Sequence, residues 1–339
     1  MNSLRTSNRG PALVTGATGF VGSNVARLLL ERGREVRVLV RKGSDRRNIP
    51  EHSMLRVFEG DLRDGDSVRR ALRGSKEVYH VAADYRFWAP EPQEIYDSNV
   101  EGTRILLDAS FGSDIDRFIH TSTVGTIGLG EQPVPGDESS PIDPGQFTSH
   151  YKKSKLQAEN LALQYAAKGL PVVIVNPSTP IGPWDRKPTP TGKIIVDFMT
   201  GRLPAYVETG LNFIHVADVA QGHLLAAERG RVGERYILGH QNLKMIDFLK
   251  ILSALTGRKP PAIRVPYAVS WVTGWVSTAY ATRVSRKPPS VPLEAVKMAK
   301  RFMFFDSTKA VRELGLPQTS VEAAAADALK WFSQNGYFS

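Results

Sequence analysis

The sequence predicts an α/β fold built on a doubly wound parallel sheet, and three observations carry the prediction. The short apolar run Ala12-Leu13-Val14-Thr15 leads straight into Gly16-Ala17-Thr18-Gly19-Phe20-Val21-Gly22, and a helical apolar pattern continues to Glu31. Strand-like and helix-like stretches then alternate as far as Pro177. Within that alternation Tyr151 and Lys155 stand four residues apart, a spacing that puts both on one face of a helix.

The glycine turn sets the chemistry of the first half. Gly16, Gly19 and Gly22 allow a tight turn, close approach of backbone to a pyrophosphate, and close helix–strand packing. The free N–H groups of the following helix, at Thr18, Phe20 and Val21, then suit the phosphates. The spacing is G-x-x-G-x-x-G, one residue wider at its start than the usual dinucleotide fingerprint. The second strand, Glu35–Val40, ends on Arg41-Lys42 where an acid would accept the ribose hydroxyls of NAD. Arginine there suits a 2′-phosphate, so NADP is the expected cofactor and NAD the alternative.

A third strand, Leu55–Asp61, places Asp61 and Leu62 for contact with adenine. A helix near Asp66–Leu72 leads to a fourth strand, Glu77–Ala83, whose small Ala82-Ala83 end lets backbone approach the cofactor. Asp84-Tyr85-Arg86-Phe87-Trp88 follows at the carboxyl end of that strand, the place where open α/β sheets bind ligands, so Asp84 and Tyr85 are candidate substrate contacts. His80 precedes this mouth and reads as a packed strand residue. The next helix, about Glu94–Ala109, carries Asn99, a poor helix former that suits a bound water or a backbone kink. The fifth strand, Asp116–Thr121, ends on Ser122 and Thr123, whose hydroxyls face the nicotinamide position. A Pro/Gly-rich loop, 130–145, precedes the Tyr151 helix, and the sixth strand is Pro171–Pro177.

Beyond Pro177 the pattern becomes irregular, as expected of a smaller, mostly C-terminal substrate-binding lobe on a Rossmann-type domain. The expected division is 10–176 for the NAD(P)-binding domain, 177–212 for a lobe segment, 213–238 for a return to the NAD(P)-binding domain, and 239–339 for the remaining lobe. The run 265–282 holds no charge and contains Trp271, Trp275 and Tyr280. It reads first as an amphipathic helix packed in the lobe, and second as a helix lying on a membrane surface.

Composition narrows the rest. With 41% hydrophobic and 23% charged residues the chain is a globular protein rather than a disordered one. It has no cysteine, which excludes disulfides, thiolate nucleophiles and cysteine-held metals. No metal site is expected. The net charge of +10 is scattered and accompanied by no nucleic-acid motif, so no nucleic-acid partner is expected. The polar stretch Met1–Arg9 lacks a signal-peptide core, which points to the cytoplasm.

The glycine turn, the Tyr151/Lys155 pair and Phe213–Val219 together resemble the extended short-chain dehydrogenase/reductase superfamily, in its NAD-dependent epimerase/dehydratase family, over about residues 11–332. Three stretches look closer to one group: His80–Arg86, Val175–Pro183, and Met298-Ala299-Lys300 through Phe304-Phe305. These resemble bacterial hopanoid-associated sugar epimerases, relatives of dihydroflavonol reductases. The resemblance implies a triad of Thr123, Tyr151 and Lys155, with Tyr151 as acid/base, Lys155 on the nicotinamide ribose, and Thr123 orienting the carbonyl. It further implies Asn99 on a proton relay, Pro177 and Ser178 beside the nicotinamide, Ser122 as a neighbour near substrate, and a homodimer pairing through the Tyr151 helix.

Two departures matter. Val124-Gly125 stand where dehydratases carry Asp-Glu, which argues against dehydration, and Leu211-Asn212 stand where nucleotide-sugar epimerases carry Arg-Asp. A diphosphate needs cations, so the second departure weakens the nucleotide-sugar reading. The expected activity is a sugar epimerase or carbonyl oxidoreductase acting on a small molecule, the hopanoid link following from the resemblance. The alternatives are an NADPH-dependent ketone or aldehyde reductase and, from another class, a non-catalytic NADP-binding scaffold or sensor.

Overall fold

The computed structural model describes residues 10–338 apart from 87, 132–133, 144 and 146–148. The polar N-terminal stretch, Phe87 and part of the 130–145 loop therefore lie outside the described residues. Seven parallel strands form the central sheet: β1 (Ala12–Thr15), β2 (Val36–Val40), β3 (Leu55–Glu59), β4 (Glu77–His80), β5 (Arg117–Thr121), β6 (Val172–Pro177) and the later β10 (Arg235–Leu238). Their order is β10-β6-β5-β4-β1-β2-β3, so the chain reverses direction across the sheet between β1 and β4. That switch point leaves a crevice at the carboxyl ends of β1 and β4.

Alternation along each strand builds both faces. Ala12 and Val14 of β1, with Val36, Val38 and Val40 of β2 and Val173 and Val175 of β6, join one core. Leu13, Leu39, Val172 and Ile174 point the other way into a second core. Helices Phe20–Glu31 and Val216–Arg229 cover the first face, and Gly65–Leu72, Gly102–Phe111 and His150–Ala167 cover the second. Strands buried on both faces read as nearly continuous apolar runs, as these do.

Three further strands, β7 (Thr179–Ile181), β9 (Gly210–His215) and β11 (Gln241–Lys244), form a separate small sheet in the order β11-β9-β7. A two-stranded pair joins β8 (Ala205–Val207) to β12 (Ile263–Val265). The run at Phe213, read as a strand leading into a helix, is β9 of the small sheet. The chain returns to the large sheet only with the Val216 helix and β10. The lobe core is built from helices Pro190–Met199, Met245–Thr256 and Val321–Gln334 around Phe213, Phe248 and Phe332. Helix Thr308–Leu314 lies in the stretch expected to be lobe, yet Ala310 and Leu314 pack into the first core of the large sheet. Two apolar residues four apart serve either core equally, so the pattern alone does not choose.

Candidate active site

Tyr151 enters the site on the first turn of helix His150–Ala167, which Ser149 caps by accepting from the Lys152 N–H at 3.2 Å. Thr123 lies two residues past β5 and caps the short turn Val124–Thr126, its Oγ1 accepting from the Gly125 N–H at 3.1 Å. With that lone pair engaged, the Thr123 hydroxyl is hydrogen-bonded to the Tyr151 phenol. Burial pushes the phenol up to about 12, and the Thr123 bond works against it. The positive end of the helix also favours the phenolate at this position.

Lys155 lies one turn further along, 3% exposed, and Nζ donates to the Thr121 carbonyl at 2.6 Å. Burial brings its ammonium down to about 8, and the nearby carboxylate of Glu159 raises it. Glu159 is itself 1% exposed and accepts from Thr126 Oγ1 at 2.7 Å, Asn176 Nδ2 at 3.0 Å and Arg235 at 3.3 Å. This acid and its three partners escape sequence reading. The only signal is that Glu159 follows Lys155 by four residues. Ser122 belongs to the same inner network. It is 5% exposed and shares a 3.2 Å hydrogen bond with Thr126 Oγ1, so it is turned away from the Tyr151 phenol rather than presented beside it. Consecutive residues of an extended chain point to opposite sides, which separates Ser122 from Thr123.

The kink expected at Asn99 is a five-residue π-helical turn, Asp97–Glu101, between Gln93–Tyr96 and Gly102–Phe111. Asn99 is 2% exposed. Its Oδ1 accepts from the Asp84 N–H at 2.7 Å, and Nδ2 donates to the Asp84 carbonyl and to Ser154 Oγ, both at 2.9 Å. The Asp84 carboxylate is held by Arg86, which also reaches Glu94. Tyr85 beside it is 51% exposed. His80 is buried between Thr15 and Thr103, as its strand position implies.

The residues expected to hold the cofactor fit a dinucleotide. Gly16 has φ +75°, and a Cβ there would stand 2.7 Å from the Ala82 backbone nitrogen; one on Gly22 would overlap the Gly16 carbonyl. Helix Phe20–Glu31 starts with no side-chain cap and no acid in its first turn, so its leading N–H groups, near Thr18, Phe20 and Val21, remain for an anion. Ala82 lies beside Gly16 across the switch point, and Ala83 follows it in the chain. Ser178 follows the buried Pro177, and its Oγ is buried with no hydrogen-bond partner in the structure. Arg41 is exposed just past β2. The Asp61 carboxylate is held low chiefly by Arg63, with Arg41 contributing, and Leu62 packs near Gly102. A separate cleft of about 350 Å³ between His240, Asn242, Thr308, Val311 and Arg312 is lined by none of these residues. Among the described residues no cluster of acids and histidines could hold a metal.

Fold and site together define an NAD(P)-dependent enzyme of the extended short-chain dehydrogenase/reductase type, an epimerase or oxidoreductase. Residues 12–239 match the model of the NAD dependent epimerase/dehydratase family, and the chain belongs to that family. It is 46% identical over 330 residues to a Synechocystis sp. protein assigned by name only as a dihydroflavonol 4-reductase, covering 96% of this chain and 95% of that one. It is 36% identical to sterol demethylase protein B of Methylococcus capsulatus, covering 96% and 98%. Among solved structures, that of gox2253 superposes with a TM-score of 0.86 at 46% identity, covering 98% of this chain and 100% of the other.

Proposed function

We propose that this protein is an NADPH-dependent reductase of an apolar ketone or aldehyde, with Tyr151 delivering the proton to the carbonyl oxygen. The dinucleotide, when bound, supplies the hydride. Thr123 holds the phenol in place in the free site, and its O–H donates to the same carbonyl once substrate is bound. Lys155, tied to the Thr121 carbonyl one turn below, supplies the positive charge that stabilises a phenolate after proton release. Gly16, Gly19 and Gly22 receive the pyrophosphate, Arg41 the 2′-phosphate, and Ser178 has a free hydroxyl for the nicotinamide side.

The observation that carries reductase over nucleotide-sugar epimerase is the state of Asn212. Its amide donates to Asn242 at 2.9 Å and to the Phe305 carbonyl at 3.1 Å, while its oxygen accepts from the His240 N–H at 3.0 Å. Leu211 packs against the lobe core. Neither residue offers a charge to a diphosphate. The names of the two relatives, a dihydroflavonol reductase and a sterol-demethylation protein, agree with an uncharged cyclic substrate. The link to hopanoid lipids rests on the resemblance of three short stretches, and pairing of two copies through the Tyr151 helix on the family pattern.

The test is NADPH oxidation against a panel of apolar cyclic ketones, with Tyr151→Phe as control. Product formed in step with NADP, and lost in the variant while cofactor binding survives, is the expected result. A tightly held NAD with inversion of a sugar carbon and no net oxidation would overturn it in favour of an epimerase. Cofactor binding with no turnover of either kind would leave a sensor.

A further inference from the structure

A helix on a protein surface usually turns its large apolar side chains inward, and helix Tyr267–Tyr280 does the reverse. Its buried positions are Ser270 and Gly274, followed by Ala281 just beyond its end. These small residues face helix Leu293–Ala299, where a Cβ on Gly274 would stand 3.0 Å from Val296 Cγ2. Outward stand Val269, Trp271, Val272, Trp275, Val276 and Tyr280, each at least 42% exposed. The Thr273 hydroxyl on the same outer side is turned back to the Val269 carbonyl at 2.9 Å. The result is a continuous apolar surface with no charge on it.

Its flanks are basic. Residues 248–293 carry seven lysines and arginines and no acid. Arg258, Lys259 and Arg264 precede the helix; Arg283, Arg286 and Lys287 follow it. Of these six, only Arg264 forms an ion pair among the described residues, with Glu208. The helix is about 21 Å long at 1.5 Å per residue, and no helix among the described residues is long and apolar enough to cross a membrane.

We propose that this face seats the protein on an anionic lipid bilayer, helix lying flat, so that an apolar carbonyl substrate reaches Tyr151 from the membrane. Tryptophan and valine enter the interface, and the six flanking cations meet the headgroups. A second copy of the chain is the poorer occupant, because pairing these faces brings cation against cation with no acid to answer. The face also adjoins the site. Trp88, from the loop that holds Asp84 and Tyr85, donates to Thr282 Oγ1 at 3.1 Å at the end of the helix. Helix Leu293–Ala299 beneath it brings Glu294 close enough to act on Lys152, the neighbour of Tyr151. The delivery step rests on the reductase reading; the docking does not.

The test is co-flotation of the full chain with phosphatidylcholine vesicles, with and without phosphatidylglycerol, for wild type and Trp271→Asp/Trp275→Asp. NADPH binding and reduction of a water-soluble ketone are followed in parallel. The expected result is binding that needs the anionic lipid, weakens at high salt and falls at least tenfold in the variant. Cofactor binding and reduction of the soluble ketone are kept, and turnover of a vesicle-dissolved ketone is lost. Absence of flotation, or flotation undiminished in the variant, would overturn the docking. So would self-association of the free protein that the same two substitutions abolish. Soluble ketone left unreduced while flotation behaves as expected would remove the reductase reading and leave the docking standing.

Discussion

The Asn99 side chain donates to Ser154 Oγ across 2.9 Å, joining a π-helical turn to the helix that carries Tyr151 and Lys155. The same amide clasps both backbone polar groups of Asp84, so one buried residue sets the spacing between the Tyr151 helix and the backbone at Asp84. Asn99→Ala removes this brace without touching Tyr151. The expected outcome is a KM raised about tenfold with a smaller fall in kcat, and cofactor affinity kept, measured by steady-state kinetics and NADPH titration. A fall in kcat alone would instead fit a proton relay.

Thr123 and Ser122 are neighbours in sequence and opposed in space. Thr123→Ala is expected to lower kcat/KM about 10²-fold, since it frees the phenol and removes a hydrogen bond to the carbonyl. Ser122→Ala is expected to stay within threefold, because Ser122 bonds Thr126 in the interior. Single-turnover rates of the two variants decide between them.

Arg41 should govern cofactor choice. Arg41→Asp is expected to weaken NADPH binding at least tenfold and leave NADH binding equal or better, read by fluorescence titration. Equal loss for both would mean that the arginine contacts something other than the 2′-phosphate.

Acid should destabilise the protein steeply. Burial brings His80 down to about 3 and His223 to about 4, and His120 lies well below the ordinary value. The unfolded chain protonates these histidines near pH 6.5, so the folded state binds fewer protons and stability falls as pH drops from there toward 4. Asp185 opposes this, because burial raises it to about 7 and the folded state keeps a proton that the unfolded chain releases near 3.8. The net is two protons, about 3 kcal/mol per pH unit. Urea unfolding between pH 4.5 and 6 measures it, and Asp185→Asn should steepen the slope by one more proton. A slope below one proton would mean that the folded state holds charged histidines.

On the alkaline side Lys155 dominates. Its folded value of about 8 lies below that of the unfolded lysine at 10.5, so stability rises with pH between 8 and 10. Lys155→Met should flatten that rise, again by urea unfolding.

The parts of the site written in local spacing could be read directly from the chain. Three glycines between a strand and a helix, two side chains four apart, and a hydroxyl at a strand end are short-range patterns with short-range causes. Glu159 was not legible, because nothing in Lys155–Glu159 reveals that Thr126, Asn176 and Arg235 will enclose it. The partner of β9 was not legible either, since a run such as Phe213-Ile214-His215 suits a buried strand in either sheet. The orientation of the helix at Tyr267 was not legible. Its mix of large apolar and small residues implies two faces, and packing against Leu293–Ala299 chose the small one.

The Thr308–Leu314 helix has a consequence for motion. The chain leaves the large sheet after β6, comes back with the Val216 helix, leaves again at β11, returns at Thr308 and ends in the lobe at Val321–Gln334. Near the last crossing, Asp218 on the sheet side accepts from the Thr319 N–H at 2.7 Å and from its hydroxyl at 3.0 Å. The two halves are laced together rather than hinged. A swing of one against the other would have to bend several crossings of the chain at once.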